Sequence, residues 1–84
     1  MVSDTPEVRD VIREVASEIA GRPIKERQRL ISSGLIDSLS VLRLITLLEN
    51  RLHLSIPTES LQPEDFDDVT TIVETIQRVA QPAA

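Results

Sequence analysis

Cysteine, tryptophan and tyrosine are absent from this sequence, and Phe66 is its one phenylalanine. Without cysteine there is no disulfide staple and no thiolate nucleophile, which suits a reducing compartment. Without large aromatics the core has to be built from Leu, Ile and Val. Glycine is nearly as scarce, with two residues, so no Gly-rich loop can cradle a phosphate. Bases are outnumbered: nine Lys and Arg face 14 Asp and Glu, a net charge of −5. That sign is wrong for a phosphate-backbone binder, so nucleic acid is not an expected partner. The apolar stretch around Leu42 is broken by Arg43, so no segment is expected to span a membrane. Met1-Val2-Ser3-Asp4 lacks the basic and apolar blocks of a signal peptide. A cytoplasmic, monomeric protein is the expectation. With 84 residues, a single domain over 1–84 is expected, its core at about 6–80 and its tail frayed over 81–84. So small a domain has a thin stability margin.

Three main helices are legible from the periodicity of apolar residues. Val8, Val11, Ile12, Val15, Ala16 and Ile19 recur at spacings of three and four between Pro6 and Ala20. Thr5 or Asp4 can cap this first helix, Pro6 suits its first turn, and Gly21 suits the position after its end. The second helix is expected from Ser38 to Leu52 or His53, capped by Asp37, with Leu44, Ile45, Leu48 and Leu52 as the core stripe. Leu39 and Leu42 fall partly off that stripe, beside Arg43 and Thr46. They fit either a partner-facing surface or a central helix packed on several sides. Pro63-Glu64-Asp65-Phe66 reads as a short helix with proline in its first turn, and Phe66 as core. A last helix is expected over roughly Thr70 to Ala80, capped by Thr70 or Asp68, with Ile72, Val73, Ile76, Val79 and Ala80 inward. The fold class is all-α, with three main helices and one short helix before the last.

The segment from Gly21 to Ile36 shows no period, and loops this long are often functional. Leu30, Ile31, Leu35 and Ile36 are expected to pin it to the core. Its charge is basic: Arg22, Lys25, Arg27 and Arg29 against Glu26. Between Thr58 and Asp68 the charge is wholly acidic, from Glu59, Glu64, Asp65, Asp67 and Asp68. Two solvated loops explain this; so does a docking surface whose charge steers a partner. No metal site is expected, since the acidic run lacks the glycine turn and the final glutamate of an EF-hand and no zinc spacing occurs.

Gly34-Leu35-Ile36-Asp37-Ser38-Leu39 carries the chemistry. It puts one serine at the mouth of a strongly apolar helix, just after a loop, where another protein can reach it. Hydrolytic serine chemistry needs a base within hydrogen-bond reach. The one histidine, His53, lies at the far end of the same helix, roughly 22 Å away at about 1.5 Å per residue. No catalytic residue, and no enzyme, is therefore expected. The helix start offers free N–H groups and the positive end of the dipole, which favour negative charge. Asp37-Ser38 is thus either a simple capping pair or the seat of a phosphodiester.

The order of features is helix, long loop, Gly-Leu-Ile-Asp-Ser-Leu, Leu-rich helix, Ile-Pro turn, Pro-Glu-Asp-Phe and helix with Thr70-Thr71-Ile72. From about Val8 to Val79 this closely resembles the acyl and peptidyl carrier protein family. The resemblance implies a four-helix carrier-protein bundle whose serine, Ser38, bears a 4′-phosphopantetheine arm. It implies that Asp37 helps a phosphopantetheinyl transferase engage the site. It implies that Leu39, Leu42, Arg43 and Thr46 line the side of the second helix that meets partners. The arm would supply the thiol that the chain lacks and hold an acyl or aminoacyl group as a thioester.

One departure from the family bears on the cargo. Fatty-acid carriers usually have a markedly acidic second helix, whereas here it holds Arg43, Glu49 and Arg51. The resemblance is therefore stronger to discrete aminoacyl or peptidyl carriers, loaded by an adenylating acyl or aminoacyl ligase and serving downstream acyl-transfer or condensation enzymes. The alternatives are a fatty-acid or polyketide carrier and, from another class, a small helical adaptor that binds through Leu39 and Leu42 without a cofactor.

Overall fold

The computed structural model describes residues 5–59 and 61–82. Helix α1 spans Pro6–Ala20, α2 spans Ser38–Leu52 and α3 spans Val69–Val79, with a 3₁₀ turn at Pro63–Phe66 between α2 and α3. Each helix begins where the sequence offers an oxygen to its free amides. The Thr5 hydroxyl accepts from the Val8 amide, the Asp37 carboxylate from Ser40 and the Asp68 carboxylate from Thr71. Helix α1 ends on Gly21 at φ 75°, a left-handed conformation that glycine adopts without a side-chain clash. Helix α2 ends on His53 in the same region, at φ 55°.

The expected faces are the buried ones. Ile12, Val15 and Ala16 of α1, Leu44, Ile45 and Leu48 of α2, and Ile72, Val73 and Ile76 of α3 meet in one aliphatic core around Phe66. Two residues outside the expected stripes, Val41 and Val69, join them, while Leu52 is only half-buried. Helix α1 packs against both α2 and α3, and the 3₁₀ turn touches both α2 and α3.

Two features go beyond the helical reading. Leu54–Ser55 (β1) pairs antiparallel with Gln81–Pro82 (β2). The tail expected to fray from Gln81 thus begins with two paired residues; Ala83 and Ala84 lie outside the described residues. Two-residue strands leave no alternation to read. The second feature is that the charged loops face each other. Arg29 lies 3.5 Å from Asp67 and 3.6 Å from Asp68, while Asp65 lies 3.7 Å from Arg78 of α3. Asp67 and Asp68 are buried. This corrects the picture of a solvated or partner-steering acidic loop: its last two carboxylates serve the fold.

The loop from Gly21 returns the chain along the bundle. Ile24 is buried, and its amide donates to Ser17 Oγ. The Glu26 carbonyl then accepts from Val69 and Thr70 at the start of α3, and its carboxylate lies 3.6 Å from Arg9 of α1. Leu30 and Ile36 are buried, and Ile31 and Leu35 half-buried, so all four expected pins touch the core. The loop therefore delivers Asp37 to α2 at the end of the molecule where α1 and α3 start.

Candidate functional site

Ile36, 2% exposed, fixes the chain one residue before Asp37. Asp37 is extended and caps α2, accepting the Ser40 amide at 2.8 Å. Ser38 is thereby the first helical residue, and it is exposed because it stands at the mouth of α2, one turn ahead of the buried Val41 and two ahead of the buried Ile45. Its hydroxyl makes no hydrogen bond among the described residues.

The surface that continues from Ser38 is apolar. Leu39 is 78% exposed and Leu42 60%, the two large hydrophobic residues left outside the core among the described residues. At these two positions α2 is therefore not packed against the rest of the bundle. Leu39, Leu42, Arg43 and Thr46 follow spacings of three and four, so they share one face. Leu42, Arg43 and Thr46, with the half-buried Leu47, line a shallow groove of about 320 Å³. The Thr46 hydroxyl donates back to the Leu42 carbonyl at 3.0 Å, which leaves methyl surface outward. Leu39, Leu42, Arg43 and Thr46 therefore share one exposed side of α2, with Asp37 and Ser38 at its start.

The charge on α2 is less open than its composition implies. The Glu49 carboxylate accepts the Ile56 amide at 2.8 Å, and Arg51 lies 3.3 Å from Glu14. Arg43 is exposed and has no ionic or hydrogen-bond partner among the described residues.

Two carboxylates near the site titrate below the ordinary aspartate range. For Asp37 the Ser40 amide and hydroxyl, helped by the Leu39 amide, stabilise the anion against a small desolvation. For Asp67 burial opposes ionisation, but hydrogen bonds from the Ser32 amide and hydroxyl and from the Ile31 and Leu30 amides outweigh it. The sequence reading missed Asp67 as a structural acceptor. The available signal was a second acid directly before Asp68, since one cap needs only one carboxylate.

Among the described residues no free base accompanies the serine. His53 is exposed at the opposite end of α2, and the Asp37 carboxylate is committed to the helix cap. Among the described residues no cluster could hold a metal ion, and no helix is long and apolar enough to cross a membrane.

An exposed serine at a helix start, with no chemistry of its own and an apolar face beside it, suits modification by another protein. The family model described as the phosphopantetheine attachment site matches residues 10–79, more than four-fifths of the chain. The chain belongs to this family. No curated protein matches it. Domains of this family carry covalent 4′-phosphopantetheine, are not themselves catalytic, and work with phosphopantetheinyl transferases and biosynthetic enzymes.

The residues present fit that group. A covalent arm needs a hydroxyl free of internal hydrogen bonds and open to solvent, and a phosphodiester gains from the positive end of a helix. Ser38 meets both conditions.

Proposed function

We propose that Ser38 is the attachment point of the 4′-phosphopantetheine arm and that the domain is a discrete carrier for an adenylate-activated amino or carboxylic acid. The observation that carries this is the unbonded, exposed hydroxyl of Ser38 at the start of α2, beside exposed Leu39 and Leu42, in a chain of the carrier family. When bound, the arm supplies a thiol that holds the cargo as a thioester. The chain's own residues do the rest. Asp37 fixes the helix start and gives the transferase a carboxylate beside the serine. Leu39, Leu42, Arg43 and Thr46 form the face on which the transferase, the loading ligase and the downstream acyl-transfer or condensation enzymes dock in turn.

The charge on α2 supports an adenylating ligase as the loading partner. With Glu49 bonded to the Ile56 amide and Arg51 paired with Glu14 at the surface, the partner meets leucines and Arg43, a cation with no partner among the described residues. A partner built to read an acidic helix finds nothing to pair with here. A partner with an apolar pocket and a carboxylate opposite Arg43 does.

The test is intact mass. Incubation with a broad-specificity transferase and coenzyme A is expected to add one arm to the protein and nothing to Ser38→Ala. No gain by the native chain would leave the cofactor-free adaptor standing. The holo protein is then offered to adenylating ligases with ATP and amino or carboxylic acids. Loading by a fatty-acid malonyl transferase alone would reject the ligase reading and favour a fatty-acid or polyketide carrier.

A further inference from the structure

We propose that Asp67 is a positioning residue for Ser38: from the junction of the 3₁₀ turn and α3 it holds the end of the 21–36 loop in the shape that presents the serine to the transferase. The inference rests on Ser38 being the attachment point.

The geometry is a short chain of contacts. Asp67 Oδ1 accepts three consecutive loop amides, from Leu30 at 3.2 Å, Ile31 at 2.7 Å and Ser32 at 2.9 Å. Asp67 Oδ2 accepts the Ser32 hydroxyl at 2.8 Å, and the Asp67 carbonyl accepts the Leu30 amide at 2.6 Å. The loop then closes on itself. Gly34 donates to the Ile31 carbonyl at 3.0 Å, and Ile36 to the Leu30 carbonyl at 2.8 Å. Asp37 alone separates Ile36 from Ser38. The residues that aim the serine thus trace back in two steps to one buried carboxylate.

Packing alone does not ask for an acid here. Three successive amides converge on one point, and their common partner has to be a hydrogen-bond acceptor. Leu30 and Ile36 already tie the loop to the core by apolar contact. What the carboxylate adds is the conformation of residues 31–35 between those ties, and so the direction in which Ile36 hands the chain to Asp37. A displacement of about 1 Å at a reacting atom costs up to about a hundredfold in rate.

The experiment is steady-state transfer of phosphopantetheine from coenzyme A to the full chain, with foldedness at the assay temperature checked by circular dichroism. Asp67→Ala is expected to lower kcat about tenfold or more, with KM for the carrier little changed because Leu39 and Leu42 are untouched. Asp67→Asn is expected to restore most of kcat, since its amide oxygen accepts the same three N–H groups and its NH₂ donates to Ser32 Oγ. Amide exchange in Asp67→Ala should rise at residues 30–36 and stay protected in the centres of α1 and α3. If Asp67→Ala does not fold, Asp67→Ser is compared with Asp67→Asn, and a lower kcat in the serine variant alone supports the role. Wild-type kcat in folded Asp67→Ala, or equal kcat in all variants, overturns it while leaving Ser38 as the attachment point. A native chain that gains no arm overturns both.

Discussion

The Ser32 hydroxyl donates to Asp67 Oδ2 at 2.8 Å, joining segments 35 residues apart in the chain. Around this bond the two oppositely charged loops meet, so part of the protein's acidic surplus is spent inside the fold. What the described residues leave outside near Ser38 is the Asp37 carboxylate, apolar surface from Leu39 and Leu42, and the Arg43 cation.

Asp37 caps α2 beside the serine proposed to carry the arm, and its replacement should show what the cap contributes. Asp37→Ala is expected to cost about 1 kcal/mol of stability through the lost Ser40 contact, a fall in Tm of about 4–8 °C for a domain of this size. Ser38→Ala, which breaks no hydrogen bond, should change stability by less than about 0.5 kcal/mol. Thermal melts by circular dichroism compare the two; equal Tm values would show that the cap contributes nothing.

Leu42 and Leu44 lie two positions apart on α2 and should behave oppositely. Leu44 is fully buried, and Leu44→Ala is expected to cost about 2–5 kcal/mol. Leu42 is 60% exposed, and Leu42→Ala should stay within about 0.5 kcal/mol of wild type while slowing transfer of the arm and loading by the ligase. Urea unfolding and loading assays on the same preparations check this. Unchanged loading in a Leu39→Ala, Leu42→Ala double variant would remove this face from partner docking.

Arg43 is the exposed cation of the proposed docking face. Arg43→Glu should leave the melting curve unchanged, because the side chain is exposed and unpaired. It should raise the ligase KM several-fold, an effect that shrinks with added salt. A lowered KM would mean that the ligase face is basic.

Acid should weaken the fold through Asp37 and Asp67. Both titrate lower when folded than when unfolded. The folded state therefore binds fewer protons in this range, and stability rises with pH there. Their contribution is complete above the ordinary aspartate pKa of about 4 and is lost as pH falls through the folded values. Tm is expected to be flat between about pH 5 and 7 and to drop below about pH 4. Asp67→Asn should drop less steeply, since that side chain no longer titrates; parallel curves would show that Asp67 takes no part in acid unfolding.

The helices were legible because their apolar faces repeat within a few residues and their caps stand next to them: Thr5, Asp37 and Asp68 all act where the sequence put them. Ser38 was legible for the same reason, since a residue three before Val41 and directly after a cap falls at the mouth of the helix. The path of the 21–36 loop was not. Its decisive partner is Asp67, too distant in sequence for any local window, and an acid two residues from Asp65 looks solvated until the loop is folded onto it. Glu49 shows the same limit: in the sequence it counts as one of the charges of α2, while the structure has it accept the Ile56 amide further along the chain. The pairing of Leu54–Ser55 with Gln81–Pro82 was invisible because it depends on both ends of the helical core already being in place.

Leu39 and Leu42 stand within one turn of the serine, and this crowding limits traffic. With the arm on Ser38 as proposed, any enzyme that grips its root covers the same few side chains, so two cannot be seated together. Visitors must queue, and each departure sets the earliest moment of the next arrival. In such a system the tempo of the pathway depends on how fast each visitor lets go.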